Sequence, residues 1–144
     1  MRLNADLISK SAQYLNPLNQ FHLDMRGYKL PYLENLSASN DQFACIDLTD
    51  NDIAKLEELP QLLRLETLML GNNRISRIQK DFAQMCPRLD TIILSSNRIA
   101  SLQEIDNLPQ NLKRLVLLEN VVCNLSNYRL YVIWILPSLK MLDY

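Results

Sequence analysis

Glycine is nearly missing from this 144-residue chain; only two occur, and neither opens a glycine-rich loop able to cradle a phosphate. Histidine occurs once, His22, with no serine or cysteine placed beside it in a nucleophile motif. It is expected to be a surface or cap residue. The three cysteines, Cys45, Cys86 and Cys123, are odd in number and far apart. They match neither a zinc spacing nor a disulfide framework, which favours a reducing, intracellular setting. No apolar stretch approaches the length needed to cross a bilayer, and polar Asn4 and Asp6 stand where a signal peptide would be apolar. Basic surplus is absent too. The net charge is −1, and the 15 lysines and arginines form no run longer than Lys113-Arg114, unlike a free-standing electrostatic binder of nucleic acid.

What the chain does have is one pattern, written four times. Phe43-x-x-Ile46-x-Leu48-x-x-Asn51-x-Ile53 recurs from Leu65 to Ile75, from Leu89 to Ile99 and from Leu112 to Val122. The asparagines Asn51, Asn73, Asn97 and Asn120 stand 22, 24 and 23 residues apart. A weaker copy, Leu23-x-Met25-x-x-Tyr28-x-Leu30, precedes them with Tyr28 in the asparagine slot. Four matches in phase are the signature of leucine-rich repeats.

Each repeat supplies a short strand, along which side chains alternate between faces. Ile46/Leu48, Leu68/Leu70, Ile92/Leu94 and Leu115/Leu117 therefore point inward together. After the strand the backbone turns and leaves its N–H and C=O groups without ladder partners. A buried asparagine amide both donates and accepts, so it can satisfy them in its own turn and the next, whereas an aspartate could only accept. Apolar Leu33, Leu56, Ile78, Leu102 and Leu125 follow five residues after the asparagine slot and continue the core onto the return segment.

These features predict an α/β leucine-rich repeat solenoid, a horseshoe with a parallel β-sheet on its concave face and helical caps at both ends. One domain spans residues 1–144: an N-terminal cap over 1–20, about five repeats over 21–125, and a C-terminal cap over 126–144. Asn4 is placed to cap a helix carrying Leu7, Ile8, Ser11, Ala12 and Leu15 on one side and ending before Pro17. Such a helix would cover the first strand's open edge. Asp81 to Met85 reads as a short helical return. Pro60 and Pro109 interrupt the other returns. The terminal segment reads as a hydrophobic helix through Leu136 followed by a last strand, Leu139-x-x-Leu142.

Catalysis has no support in these residues. Asp47 and Asp50 lie on a strand and its turn, are expected to be solvated, and fall short of the oxygen set a hard cation needs. No catalytic or metal-binding residue, cofactor or small-molecule substrate is implied. The informative surface is the concave face, where the residue between each pair of inward leucines must point out. That row reads Asp24, Asp47, Met69, Ile93 and Val116, flanked by His22, Cys45, Thr67, Thr91 and Arg114 on one side. On the other side lie Arg26, Thr49, Gly71, Ser95 and Leu118. Half of the stripe is acidic and half apolar. Adjacent exposed hydrophobes mark a partner site, here a trough for an amphipathic helix with a basic end.

Several segments resemble one family closely: Leu23-Asp-Met-Arg-Gly-Tyr-Lys-Leu-Pro31, Glu34-Asn-Leu36, Asp41-Gln-Phe43, Asn72-Asn-Arg-Ile75 and the cap from Tyr128-Arg-Leu-Tyr to Leu-Asp-Tyr144. They look like the A-prime family of the U2 small nuclear ribonucleoprotein, and the likeness runs from Leu3 to Tyr144. It implies a non-catalytic, nuclear scaffold subunit in pre-mRNA splicing. Such a subunit grips a helix of an RNA-recognition-motif partner, the B-double-prime protein, and through the complex supports binding of a U2 RNA stem-loop. Asp24, Asp47, Met69, Ile93, Val116 and Leu118 are then the partner-contact candidates, with Arg26 and Lys29 as RNA-contact candidates. The opposing expectation for Arg26 is a pairing with Asp47 or Asp50. The resemblance also implies a charged extension beyond the cap, where this sequence ends. A repeat-type phosphatase regulator and an axonemal dynein-associated repeat protein would share the fold and cap. Both would lack Arg26-Gly-Tyr-Lys29 followed by Asp41-Gln-Phe43.

Overall fold

The computed structural model describes residues 1–143; Tyr144, the last residue of the cap motif, lies outside the described residues. Its frame is a seven-stranded sheet in which β2 (Phe21–Asp24), β3 (Cys45–Asp47), β5 (Thr67–Met69), β7 (Thr91–Ile93), β8 (Arg114–Val116) and β9 (Met141–Leu142) run parallel in that order. Their register aligns Leu23, Ile46, Leu68, Ile92, Leu115 and Leu142 as one inward row. All six are buried, together with Leu48, Leu70, Leu94 and Leu117 from the following inward row. The parallel strands demand a crossover for each step. The crossovers are short here: a second, two-stranded sheet of β4 (Lys55–Leu56) and β6 (Arg77–Ile78), then α2 (Phe82–Met85) and α3 (Leu102–Ile105). On the outer sheet α3 stands in for a third strand. Glu104 accepts the Ile78 N–H at 2.8 Å, and the Asn107 amide, just past the helix, donates to the Ile78 carbonyl at 2.9 Å.

The asparagines form the ladder their spacing requires. Asn97 donates from Nδ2 to the carbonyls of Leu70 at 2.9 Å and Leu94 at 3.0 Å, and its Oδ1 accepts the Ile75 N–H at 2.9 Å. Asn73 and Asn120 repeat the arrangement one turn away in each direction. Asn51 accepts two amides, those of Tyr28 and Leu30. In each repeat the residue before the ladder asparagine is left-handed: Asp50, Asn72, Ser96 and Glu119 have φ between 55° and 64°, and Gly27 holds the matching place at 73°. Asp, Asn and Gly tolerate that region; the longer Glu119 adopts it without that advantage. The return-segment row is buried from Leu33 through Ile78, but Leu102 is half-buried and Leu125 is 40% exposed. The chain leaves the repeat at Val121–Asn124, a single 3₁₀ turn, so no next coil covers Leu125.

The N-terminal cap departs from expectation. Asn4 does cap a helix, its side chain accepting the Leu7 N–H at 2.8 Å, but that helix, α1, covers only Ala5–Lys10. The residues expected to continue it form β1 (Ala12–Leu15), paired antiparallel with β2. A strand satisfies the open edge of β2 with main-chain hydrogen bonds, which a helix laid beside it could not do. Asn16 closes the hairpin, its Oδ1 accepting the amides of Leu18 and Gln20 at 3.0 Å. At the other end α4 (Tyr128–Ile135) buries Tyr128 and Val132 against the last coil. Leu130, Ile133 and Trp134 remain exposed on its outer side.

Candidate functional site: the concave sheet

The strand register brings the expected rows together. Asp24, Asp47, Met69, Ile93 and Val116 are direct neighbours across five strands, and His22, Cys45, Thr67, Thr91 and Arg114 form the adjoining row. The third row follows from the backbone ladder beyond the strands, which joins Gly27 to Thr49, Asp50 to Gly71, Asn72 to Ser95 and Ser96 to Leu118. Met69, Ile93 and Val116 are half-buried rather than fully exposed, because side chains on adjacent strands shield one another across roughly 4.8 Å. Leu118 is 37% exposed. The apolar half of the trough is therefore continuous.

The acidic half is different from a pair of free carboxylates. Asp24 takes a two-pronged contact from Arg26, Nε at 3.1 Å and Nη2 at 3.0 Å, and also accepts the Arg26 N–H. Asp47 is buried, accepts the Thr49 N–H at 3.0 Å, and lies 3.7 Å from the Arg26 Nε. The solvated character expected for Asp47 gives way to burial, because hydrogen bonds within its own strand end and the arginine satisfy it. Asp50 stays exposed and accepts from the Asn72 amide at 2.6 Å. The hydrogen bond from Arg26, outweighing partial burial, holds the Asp24 carboxyl below the usual carboxylate range, and the same contact raises Arg26. Arg26 is thus paired with Asp24 and Asp47, as the opposing expectation had it with Asp47. Lys29 is exposed at φ 55° on the rim, where the neighbouring Arg74 lies 3.6 Å from Asp52.

Of the two places expected for His22, surface or cap, the structure gives the second: it is buried beneath the N-terminal cap strand. It is 6% exposed, stacked on Tyr14 with ring centroids 4.7 Å apart, and Asn16 Nδ2 lies 3.3 Å from its Nδ1. Its Nε2 is buried without a partner among the described residues. Nearby, Gln20 reaches across to Glu66 Oε2 at 3.1 Å, and Cys45 is fully buried. Burial pushes the Cys45 and Cys86 thiols up to about 12, so neither offers a nucleophile. Among the described residues no cluster of three or more His, Cys, Asp or Glu could hold a metal ion, and no helix is long and apolar enough to cross a membrane.

Sequence reasoning missed Tyr14, an aromatic 43% exposed on the concave side of the edge strand. Ala12-Gln-Tyr-Leu15 carries no alternation that would mark a strand, and all four residues are exposed, so the helical reading of the cap hid it. It named Arg114 only as a row member; the cation is exposed beside Val116.

Among the described residues the arrangement offers a shaped, half-apolar surface and no cluster of three or more metal-ligating groups. The leucine-rich repeat family matches residues 1–144. The chain is similar along its whole length to the U2 small nuclear ribonucleoprotein A' of Arabidopsis thaliana, at 47% identity, and to that of Homo sapiens, at 44%. It spans 59% and 57% of those two proteins. It also superimposes with a TM-score of 0.94 on a chain of the Drosophila melanogaster SNF/U2A' complex, at 44% identity, covering 100% of this chain and 84% of that one. Repeat phase, cap motif and these likenesses agree, and the chain belongs to the leucine-rich repeat family, in the branch of the U2 small nuclear ribonucleoprotein A' proteins.

Proposed function

We propose that this chain is a non-catalytic, nuclear scaffold subunit of the U2 small nuclear ribonucleoprotein in pre-mRNA splicing. Its concave sheet holds a helix of an RNA-recognition-motif partner of the B-double-prime type, and the complex supports binding of a U2 RNA stem-loop. The single observation that carries this reading is the unbroken apolar row Met69, Ile93 and Val116 at the centre of the concave sheet face. A repeat scaffold gains only the modest stabilisation of cross-strand pairing from apolar residues pointing away from its core. They gain when a second surface removes them from water. The likeness to a chain solved within an SNF/U2A' complex supports the same partner class.

Within this reading, RNA is held chiefly by the partner. Arg26 is committed to Asp24 and Asp47, and the chain as a whole carries −1. The test is calorimetric titration of this chain with purified Drosophila SNF, followed by titration of the complex with a U2 stem-loop across a salt series. Saturable one-to-one binding of SNF, and weak RNA binding by this chain alone, are the expected results. No binding of SNF to the wild-type chain would overturn the proposal.

A further inference from the structure

The seven-stranded sheet has two edges, and they are protected unequally. At one end β9 (Met141–Leu142) is short and follows the exposed cation Lys140, two features that discourage a further strand from adding. At the other end β1 (Ala12–Leu15) is as long as any strand in the sheet, and all of it is exposed. From Ser11 to Phe21 the chain carries no charged residue. The cation just before that stretch, Lys10, is held by Asp6 at 3.0 Å. Tyr14 is 43% and Leu15 66% exposed on this bare edge.

Hydrogen-bond direction shows which main-chain groups of β1 are free. Phe21 accepts the Ala44 N–H at 3.0 Å and Met25 donates to the Asp47 carbonyl at 2.8 Å, so Phe21, Leu23 and Met25 turn their polar groups toward β3. His22 and Asp24, between them, face β1. Their register partners are Tyr14 and Ala12, and Asn16, next in that series, donates to the Gln20 carbonyl at 2.9 Å. Gln13 and Leu15 therefore aim their N–H and C=O groups away from the sheet. Among the described residues neither meets a main-chain partner there. The Gln13 side chain is itself satisfied, donating to the Ile8 carbonyl at 3.0 Å.

We propose that this edge is the contact by which two copies of the chain associate, β1 on β1, antiparallel about a two-fold axis through Tyr14. In that register Gln13 faces Leu15 of the second copy, and their outward N–H and C=O groups exchange hydrogen bonds on both sides of the axis. The outward groups flank Tyr14 evenly, so the edge complements itself, as a closed two-fold contact requires. Tyr14 faces its own counterpart at the intervening non-hydrogen-bonded position, where Cα atoms lie about 4.5 Å apart and aromatic pairs add stability. No like charges oppose each other across the join, because the strand has none. Two paired strands bury less than a standard interface, so the association is weak and concentration-dependent. The contact lies on the edge of the sheet and not within the concave trough, so its failure would leave the trough reading standing.

Sedimentation equilibrium of the chain alone, over a rising concentration series, gives the first readout. The weight-average mass should climb from monomer toward dimer. Leu15→Lys, which sets a cation on each side of the join, should weaken the association about tenfold or more with unchanged thermal unfolding. A chain that stays monomeric at every concentration overturns the inference. So does association that survives Leu15→Lys, and its loss in Leu130→Glu would move the contact to the outer side of α4. Mild oxidation gives the second readout, in a Cys123→Ser background, since Cys45 and Cys86 are buried. Tyr14→Cys should form a disulfide-linked dimer, because facing residues at that position meet within reach of a bridge. Leu15→Cys should not, because the two copies of that position are offset along the strands by roughly 8 Å between Cα atoms, beyond what a disulfide spans. Equal cross-linking at both positions, or at neither, would overturn the inference.

Discussion

Tyr128 and Asp143 lock the C-terminal cap to the last repeat. The tyrosine hydroxyl donates to Oδ2 of Asp143 at 2.9 Å, while Oδ1 of the same carboxylate accepts the Leu117 N–H at 2.7 Å. Asp143 has φ 70°, and its side chain takes the ladder hydrogen bond from the Leu117 N–H that its own carbonyl would otherwise accept. Burial drives the Tyr128 phenol well above its ordinary range, and it stays a donor wherever the protein is folded.

Tyr128→Phe leaves the ring in place but removes the donor to a buried carboxylate. It should cost about 1.5–3 kcal/mol, the range for a hydrogen bond to a charged group. Urea unfolding followed by circular dichroism measures it. A loss within about 0.5 kcal/mol, typical of ordinary surface changes, would show that the lock is not structural.

Asn97→Ala strands the Ile75 N–H and deprives the buried Leu70 and Leu94 carbonyls of a donor. We expect a loss of about 1–3 kcal/mol. Asn97→Asp should cost at least as much, because a carboxylate set beside those carbonyls can only accept. Thermal melts against Gln103→Ala, an exposed control, compare them; equal melting temperatures would contradict the ladder's role.

Acid should weaken the trough's N-terminal end. The folded carboxyl of Asp24 lies below its unfolded value because Arg26 hydrogen-bonds its charged form. Its contribution is therefore present above the unfolded value, near about pH 4, and is lost as pH falls through the lowered folded value. Arg26→Ala should flatten that part of the stability–pH curve and leave the neutral-to-alkaline limb parallel to wild type. Identical acid limbs would mean that the pairing does not persist in solution.

The repeats were legible because their physics is local. The alternation around Ile92 and Leu94 and the amide chemistry of Asn97 sit within a few residues, and phase carried them from one coil to the next. The concave rows followed from that phase alone, so Met69, Ile93 and Val116 came out as neighbours. The N-terminal cap was less readable. Leu7, Ile8, Ser11 and Leu15 fit a helical period, Ala12 to Leu15 carries no alternation that would mark a strand, and what decided was the unpaired edge of β2, a tertiary demand. The same holds for the acidic end. Asp47 and Asp50 are expected to be solvated and Arg26 to reach Asp47 or Asp50 at most, because the contact from Arg26 back to Asp24 on its own strand end depends on the fold of that turn. The burial of His22 depended on Tyr14 stacking from a strand not anticipated.

The most direct test of the concave trough is a titration of Ile93→Glu with purified Drosophila SNF beside the wild-type chain and Leu130→Glu. Ile93 sits mid-row on the concave sheet, whereas Leu130 is 76% exposed on the outer side of α4. A carboxylate at 93 would be desolvated against the apolar face of the docked helix, at a cost equivalent to about a hundredfold or more in affinity. The account predicts that loss for Ile93→Glu with folding intact, and wild-type affinity for Leu130→Glu. Full-strength binding by a folded Ile93→Glu chain would contradict it and place the partner on another face of the solenoid.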